Sequence, residues 1–113
     1  MKKIVSFGFK NGAPLDSTGA VIDVRKIMTR NPFHDKTLRK LRGTDLAVQA
    51  DLQKTPNWSD IVMQLIESVK NCSLAGYDVI YLGCTGGHHR SVYAAILMGN
   101  FFNVPVEHRD INL

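Results

Sequence analysis

The sequence predicts one α/β domain: a mostly parallel or mixed sheet flanked by helices, with an anion-binding loop between a central strand and a helix N-terminus. Three observations carry this. "YDVIYLG" (77–83) is a near-continuous β-branched run, the pattern of a strand covered on both faces. "RSVYAAILMGNFF" (90–102) follows it after a glycine-bearing loop and is apolar nearly all round, as a buried helix is. Upstream, Trp58, Ile61, Val62, Leu65, Ile66 and Val69 recur at three- and four-residue spacing, which makes one apolar stripe. Strands alternating with helices of this length define the α/β class.

The elements follow in order. "KKIVSFGF" opens with alternating and β-branched residues and predicts a strand ending at Gly8 or Phe9. "KNGAPLDSTG" is dense in turn residues and reads as a connection, and "AVIDVR" as a second short strand. Lys26 to Thr55 shows no clear period; Asp35 is placed to cap a short helix through Leu41, with Gly43 just past its end. Asn57 suits the start of the next helix because its side chain can accept an orphan N–H, and Asp60 opposes the positive end of the dipole. After the buried helix, "VPVEHRDI" returns as a last strand. A strand, loop, helix and strand form a βαβ unit, so these last two strands are expected as parallel neighbours.

With 113 residues the chain is expected to form one domain over 1–113 and to bury roughly two-thirds of its unfolded surface. Hydrophobic residues at 44% and charged residues at 21% fit a globular protein. No apolar run approaches the roughly 18 to 20 residues of a membrane span, and the N-terminus lacks a signal peptide's apolar core, so a cytoplasmic location with no membrane partner is expected. Cys72 and Cys84 are read as free thiols, since one bridge in so apolar a domain would not make a disulfide scaffold. Cys72 falls near a helix end and reads as filler.

The formal charge of +4 is unevenly spread. Residues 1–56 hold eleven Lys or Arg against five Asp, and the rest hold three against five acids. Within 25–42 seven basic residues (Arg25, Lys26, Arg30, Lys36, Arg39, Lys40 and Arg42) meet one acid. Such a face is either simply solvated or meets an anionic partner such as RNA or a phosphorylated metabolite.

"GCTGGHHRS" (83–91) is the segment that core packing does not explain. A strand-to-helix loop points backbone N–H groups and the positive dipole end into one crevice, where open α/β sheets bind ligands. Gly86 and Gly87 let the backbone turn and approach a ligand. Arg90 offers a planar fork for two oxygens, the amides from Thr85 to His88 a cradle, Thr85 and Ser91 hydroxyl donors, and His89 a further donated hydrogen bond. The plain alternative is a tight turn whose glycines serve packing.

Enzyme signatures divide unequally. No G-x-x-x-x-G-K-[ST] is present, and "HRD" at 108–110 lacks every other kinase element. Cys84 to Arg90 matches the C-x5-R phosphate loop of cysteine-dependent phosphatases, in which a thiolate attacks phosphorus and a general acid among Asp23, Asp45 and Asp110 would serve the leaving group. Cys84 with His88 or His89 makes a conceivable metal-ligand pair, but a second pair is missing, so no metal and no cofactor is expected.

"GCTGGHHRSV" (83–92), "SFGFK" (6–10), "IDVR" (22–25), "NP" (31–32), "LR" followed by "GTD" (38–45) and "HRDI" (108–111) together resemble the C-terminal domain of the RapZ/YvcJ family. The resemblance runs from residue 6 to residue 111, and "GCTGG-x-HRSV" is its most specific part. It implies a phosphofructokinase-subdomain-like fold and a non-enzymatic module that senses a phosphorylated sugar such as glucosamine-6-phosphate. It also implies binding of small regulatory RNA and self-association as a homo-oligomer, a dimer in the simplest case. The pocket implied centres on Thr85, Gly86, His89 and Arg90, with Lys10, Asp23 and Arg25 at matching positions.

Family members carry a shorter link between "DVR" and "NP" with His or Tyr after the proline, whereas "KIMTR" intervenes here and Phe33 and His34 follow. His34 is the candidate replacement for that contact. The family's nucleotide-binding domain and basic C-terminal tail are not among these residues, so no nucleotide activity is expected, and RNA binding would rest on the 25–42 cluster with Lys2 and Lys3. A further alternative is an interaction module that pairs with a full-length relative.

Overall fold

The computed structural model describes residues 1–113 and is organised around β1 (Lys3–Gly8), buried continuously from Ile4 to Gly8. A strand so covered needs a partner on each edge. β3 (Val79–Cys84) and β4 (Val106–His108) supply them, and β2 (Gly19–Asp23) closes the far side of β3 to give the order β2-β3-β1-β4 with every pairing parallel. The expectation that β3 and β4 are neighbours is therefore corrected: they are parallel, but β1 lies between them. The burial patterns give the reason, because β4 is three residues long and only half covered, which suits an edge, whereas β1 is buried throughout.

Period two sorts the sheet's side chains. Ile4, Ile80, Leu82 and Cys84 enter the main core, where they meet Val48 and Leu52 of α1 (Leu46–Gln53), Ile61, Leu65 and Val69 of α2 (Trp58–Leu74), and Ala94, Ala95 and Met98 of α3 (Arg90–Phe102). Burying each large aliphatic side chain there contributes about 1.5–3 kcal/mol before entropy is counted. The other face carries Phe7, edge-on to Phe9 at 4.8 Å and to Tyr81 at 6.4 Å, with the Arg109 guanidinium 5.2 Å over the Phe7 ring. Trp58 stacks on Tyr93 at 5.9 Å while Gln53 donates to the Tyr93 hydroxyl, which ties the three helices together.

Three local expectations change. The helix expected from Asp35 to Leu41 is a pair of 3-10 turns, Pro32–His34 and Leu38–Lys40. Asp35 does accept from the amides of Thr37 and Leu38, but only Leu38 is buried in the turn that follows, so no apolar face sustains a longer helix. α1 was not expected: its sole buried positions are Val48 and Leu52, one i, i+4 pair, too short a stripe to show as a period. Asn57 does precede α2, yet it sits at φ 59, ψ 39 with no side-chain capping bond; its carbonyl accepts from Asp60 and Ile61, and Asn is chosen there for its tolerance of the left-handed region.

Candidate functional site

The register brings Gly8 opposite Cys84 and Asp23 opposite Gly83, so β1, β2 and β3 end at one level and the loops that follow them meet. β1 and β3 are adjacent strands whose onward connections run in opposite directions along the sheet, the arrangement that leaves a crevice at the carboxyl ends. A cleft of about 180 Å³ lies there, lined by Lys10, Asn31, Phe33, Cys84, Thr85, Gly86, His88, His89 and Arg90.

The two glycines of the loop do different work. Gly87 has φ +76, and a Cβ on it would stand 2.6 Å from the Gly8 amide nitrogen and 2.9 Å from the Phe7 carbonyl carbon; it lets the loop lie directly on β1. Gly86 has open space around it: a Cβ there would find His88 Nδ1 at 3.8 Å and Lys10 Cε at 3.9 Å as its nearest neighbours, so its smallness keeps the cleft clear. Gly43 of "GTD" clamps the loop from the other side: its amide donates to the His88 carbonyl at 2.7 Å, and a Cβ would collide with the His89 carbonyl and Tyr93 amide. Asp110, 2% exposed, accepts from the Gly8 amide at 2.7 Å and is gripped by the Arg109 fork at 2.8 and 2.9 Å, so "HRD" is a structural clasp beneath the loop. Burial opposes its charge, but Arg109 and the Gly8 amide outweigh it and hold the carboxyl below the usual range.

The amides of Gly86, Gly87, His88 and His89 donate to no acceptor within the chain, and those of Arg90 and Ser91 open α3. Arg90, only 7% exposed, donates Nη1 to the Met28 carbonyl at 3.0 Å and has no carboxylate partner; burial lowers its pKa, though it stays a cation. Lys10 approaches from beyond β1, and no carboxylate lines the cleft. Cys84, 4% exposed, has its Sγ 3.1 Å from Ser91 Oγ.

His89, 5% exposed, has Nε2 2.8 Å from the Leu41 carbonyl. A carbonyl only accepts, so Nε2 carries the proton and Nδ1 of the neutral ring is an acceptor; the donor role expected for His89 requires a second proton. Burial holds its pKa down, with the Leu41 carbonyl pulling the other way. His88 lies edge-to-face with it at 6.2 Å, and His88 Nε2 is buried with no hydrogen-bond partner. Burial, then Arg42 and Lys10, keep its pKa low.

Of the expected site residues, Lys10, Thr85, Gly86, His88, His89 and Arg90 come together, with Cys84 on the floor. Gly87, Ser91, Asp23, Arg25 and His34 do not line the cleft. Gly87 lies beneath it, and Ser91 is buried against Cys84. Asp23 holds Arg25 through a two-pronged contact at 2.9 Å, and Arg25 also lies 4.4 Å over the Phe9 ring and reaches Thr85 Oγ1 only at 3.4 Å. His34 faces a separate open groove with Arg30 and Asp51. Asn31 and Phe33 line the cleft but were missed. Asn31 Oδ1 accepts from the Phe33 amide at 3.2 Å, and Arg39 braces Phe33 by donating to its carbonyl at 2.9 Å and lying 4.8 Å over its ring. Their visible signals were "NP" and the position after its proline, which Phe33 and not His34 occupies. No three His, Cys, Asp or Glu side chains gather closely enough to hold a metal ion, and no helix is long and apolar enough to cross a membrane.

A family model described as the RapZ C-terminal domain matches residues 2–112. Similar curated proteins, each called "Nucleotide-binding protein", include one from Fervidobacterium nodosum, 37% identical over 97% of this chain and 42% of its own length. Others come from Pseudothermotoga lettingae, 38% identical over 97% of this chain and 42% of its own, and Azotobacter vinelandii, 40% identical over 96% and 41%. The chain thus spans about two-fifths of the length of these relatives.

Proposed function

The chain belongs to the RapZ C-terminal domain family, and from that premise we propose that its cleft binds a small phosphorylated metabolite of the amino-sugar type, glucosamine-6-phosphate being the first candidate, as a metabolite-sensing regulatory module. One observation carries the reading: the loop that leads into a buried Arg90 without a carboxylate partner has four unengaged amides, from Gly86 to His89, and it borders a cleft that no acid lines. Such a site is charged and short of hydrogen-bond acceptors, which phosphate oxygens supply. A volume of about 180 Å³ suits a small ligand better than the roughly 300–1,000 Å³ sites of drug-sized molecules. RNA binding through the 25–42 face and self-association are the wider parts of the same proposal.

The test is a melting shift. A ligand at a hundred times its Kd stabilises by about 2.7 kcal/mol, which glucosamine-6-phosphate should produce in the wild type and glucosamine should not. Arg90→Ala should abolish the shift. Because Arg90 also ties down Met28, Gly86→Ala and Lys10→Ala, which disturb no internal contact, carry the decision. A full shift in both would sink the reading.

One contact favours a second reading as a cysteine-dependent phosphatase: Ser91 Oγ stands where it can donate to a Cys84 thiolate. Against it, Asp23, Asp45 and Asp110 are all engaged elsewhere and none lines the cleft to protonate a leaving group. Hydrolysis of an activated aryl phosphate, which needs no general acid, that vanishes in Cys84→Ser would establish this activity.

A further inference from the structure

We infer that the cleft takes up a proton together with its anion, the adjacent imidazoles of His88 and His89 forming a proton-linked reader of negative charge, so that anion binding tightens as the solution turns acidic. The inference rests on the anion-site reading above and adds a regulation to it.

The geometry requires the link. His89 lines the cleft and has given its one N–H to the Leu41 carbonyl, so the neutral ring has only an acceptor left, at Nδ1. A sulfate or phosphate oxygen also offers only lone pairs, and the two repel until a proton lies between them. Added at Nδ1, that proton converts the repulsion into a charge-assisted hydrogen bond. His88 adds a second ring to the cleft lining, with Nδ1 on the side of Gly86 and Nε2 buried behind it without a hydrogen-bond partner.

The groups that face the pair explain why the proton arrives only with the anion. Lys10 approaches from the turn after β1, Arg42 from the segment before α1, and Arg90 from the first turn of α3, all cations. Cys84 on the floor is hydrogen-bonded to Ser91. From the C-terminal turn come the carbonyls of Asp110 and Leu113, while the Asp110 carboxylate is held by Arg109 and the Gly8 amide. Carbonyls of Leu113 and Asp110 favour a charged His88 and those of Leu41 and Arg39 a charged His89, but burial, with the neighbouring cations, outweighs them and lowers both pKa values. A doubly negative ligand reverses that balance. By reciprocity, whatever raises the imidazole pKa on binding makes protonation tighten binding, by up to about tenfold per pH unit for each proton taken up.

Sulfate is the probe, because its charge is fixed across the range whereas a phosphate monoester titrates near pH 6. Calorimetric titration at pH 7.5, 6.5 and 5.5, in buffers of different ionisation enthalpy, should show sulfate Kd falling about tenfold or more toward acid and a proton taken from the buffer. His88→Gln and His89→Gln should each flatten the profile and the double variant should abolish it. His34→Gln, in the separate groove, should keep it. Sulfate that binds with the same Kd at all three pH values and draws no proton overturns the link and leaves the anion site standing. Sulfate that binds at none of them overturns both. The wild-type buffer comparison decides the question even if a histidine variant fails to fold.

Discussion

The loop from Thr85 to Arg90 and the basic stretch from Arg25 to Arg42 are both crowded with donors, and the fold treats them in opposite ways. In the basic stretch every arginine is engaged: Arg25 with Asp23, Arg30 with Asp51, Arg39 with the Phe33 carbonyl and ring, Arg42 with the carbonyls of Ile111, Leu41 and Lys40. Only Lys26, Lys36 and Lys40 stand exposed without a hydrogen bond or ion pair of their side chains. In the loop the reverse holds: the amides are unengaged and Arg90 has a single carbonyl to bond. Charge counted along a sequence therefore measures how many cations there are, and the fold decides how many are free for a partner.

The largest effect that would sharpen this contrast lies under the loop. Gly87→Ala places a Cβ 2.6 Å from the Gly8 nitrogen at a φ of +76, so strain and collision add, and the loss of stability should be about 3 kcal/mol or more in chemical denaturation. Gly86→Ala, one residue away, meets nothing closer than 3.8 Å and should shift stability by less than about 0.5 kcal/mol while weakening sulfate binding. Equal stability of the two variants would mean that the loop does not rest on β1, and the different duties given to its two glycines would go with it.

The same pair shows what could be read in advance. The run 83–91 announced a ligand loop because its residue types have no packing rationale, and the strong periods at 58–69 and 77–83 placed α2 and β3. Adjacent glycines with opposite duties were not separable, since the duty of each depends on Phe7, Gly8 and Lys10, some eighty residues away. Asn31 and Phe33 escaped notice for a like reason: "NP" signals a turn, while the cleft they line depends on where the Pro32–His34 turn packs against α1. The position of β1 between β3 and β4 was likewise invisible to local pattern, because parallel pairing is chosen by burial across the whole sheet. Basic residues at 25–42 announced a charged face but concealed their partners, four of which (Asp23, Asp51, Phe33 and Ile111) differ from them in element or distance.

An intermediate effect separates the two regions by what each cation supports. Arg42→Ala removes donors to three carbonyls, that of Ile111 in the C-terminal turn and those of Lys40 and Leu41 in its own segment, and at about 1 kcal/mol per hydrogen bond, less what water restores, the cost should be about 1–2 kcal/mol of stability. Arg42 faces the two imidazoles but does not line the cleft, so the variant's sulfate affinity should change less than that of Lys10→Ala. Lys10→Ala should do the converse, leaving the melting curve in place and weakening sulfate about three- to tenfold, since this ammonium lines the cleft and has no internal partner. Were Lys10 to matter for stability and Arg42 for the anion, the division into engaged and free cations would be wrong.

The smallest effect concerns the basic face. Lys26, Lys36 and Lys40 together replaced by Ala should leave stability unchanged within about 0.5 kcal/mol, as their side chains touch no partner. For RNA the decisive quantity is the slope of log affinity against log salt, which falls by about 0.7 for each phosphate contact on a single strand. Three free lysines then give a slope of about −2, and all seven basic residues would give about −5. A value near −2 that vanishes in the triple variant means RNA meets the face as it stands. A value near −5 means that the arginines leave Asp23, Asp51 and their carbonyls to bind, so RNA binding would carry the cost of breaking those contacts and would be expected to loosen the very turns that place Asn31 and Phe33 at the cleft.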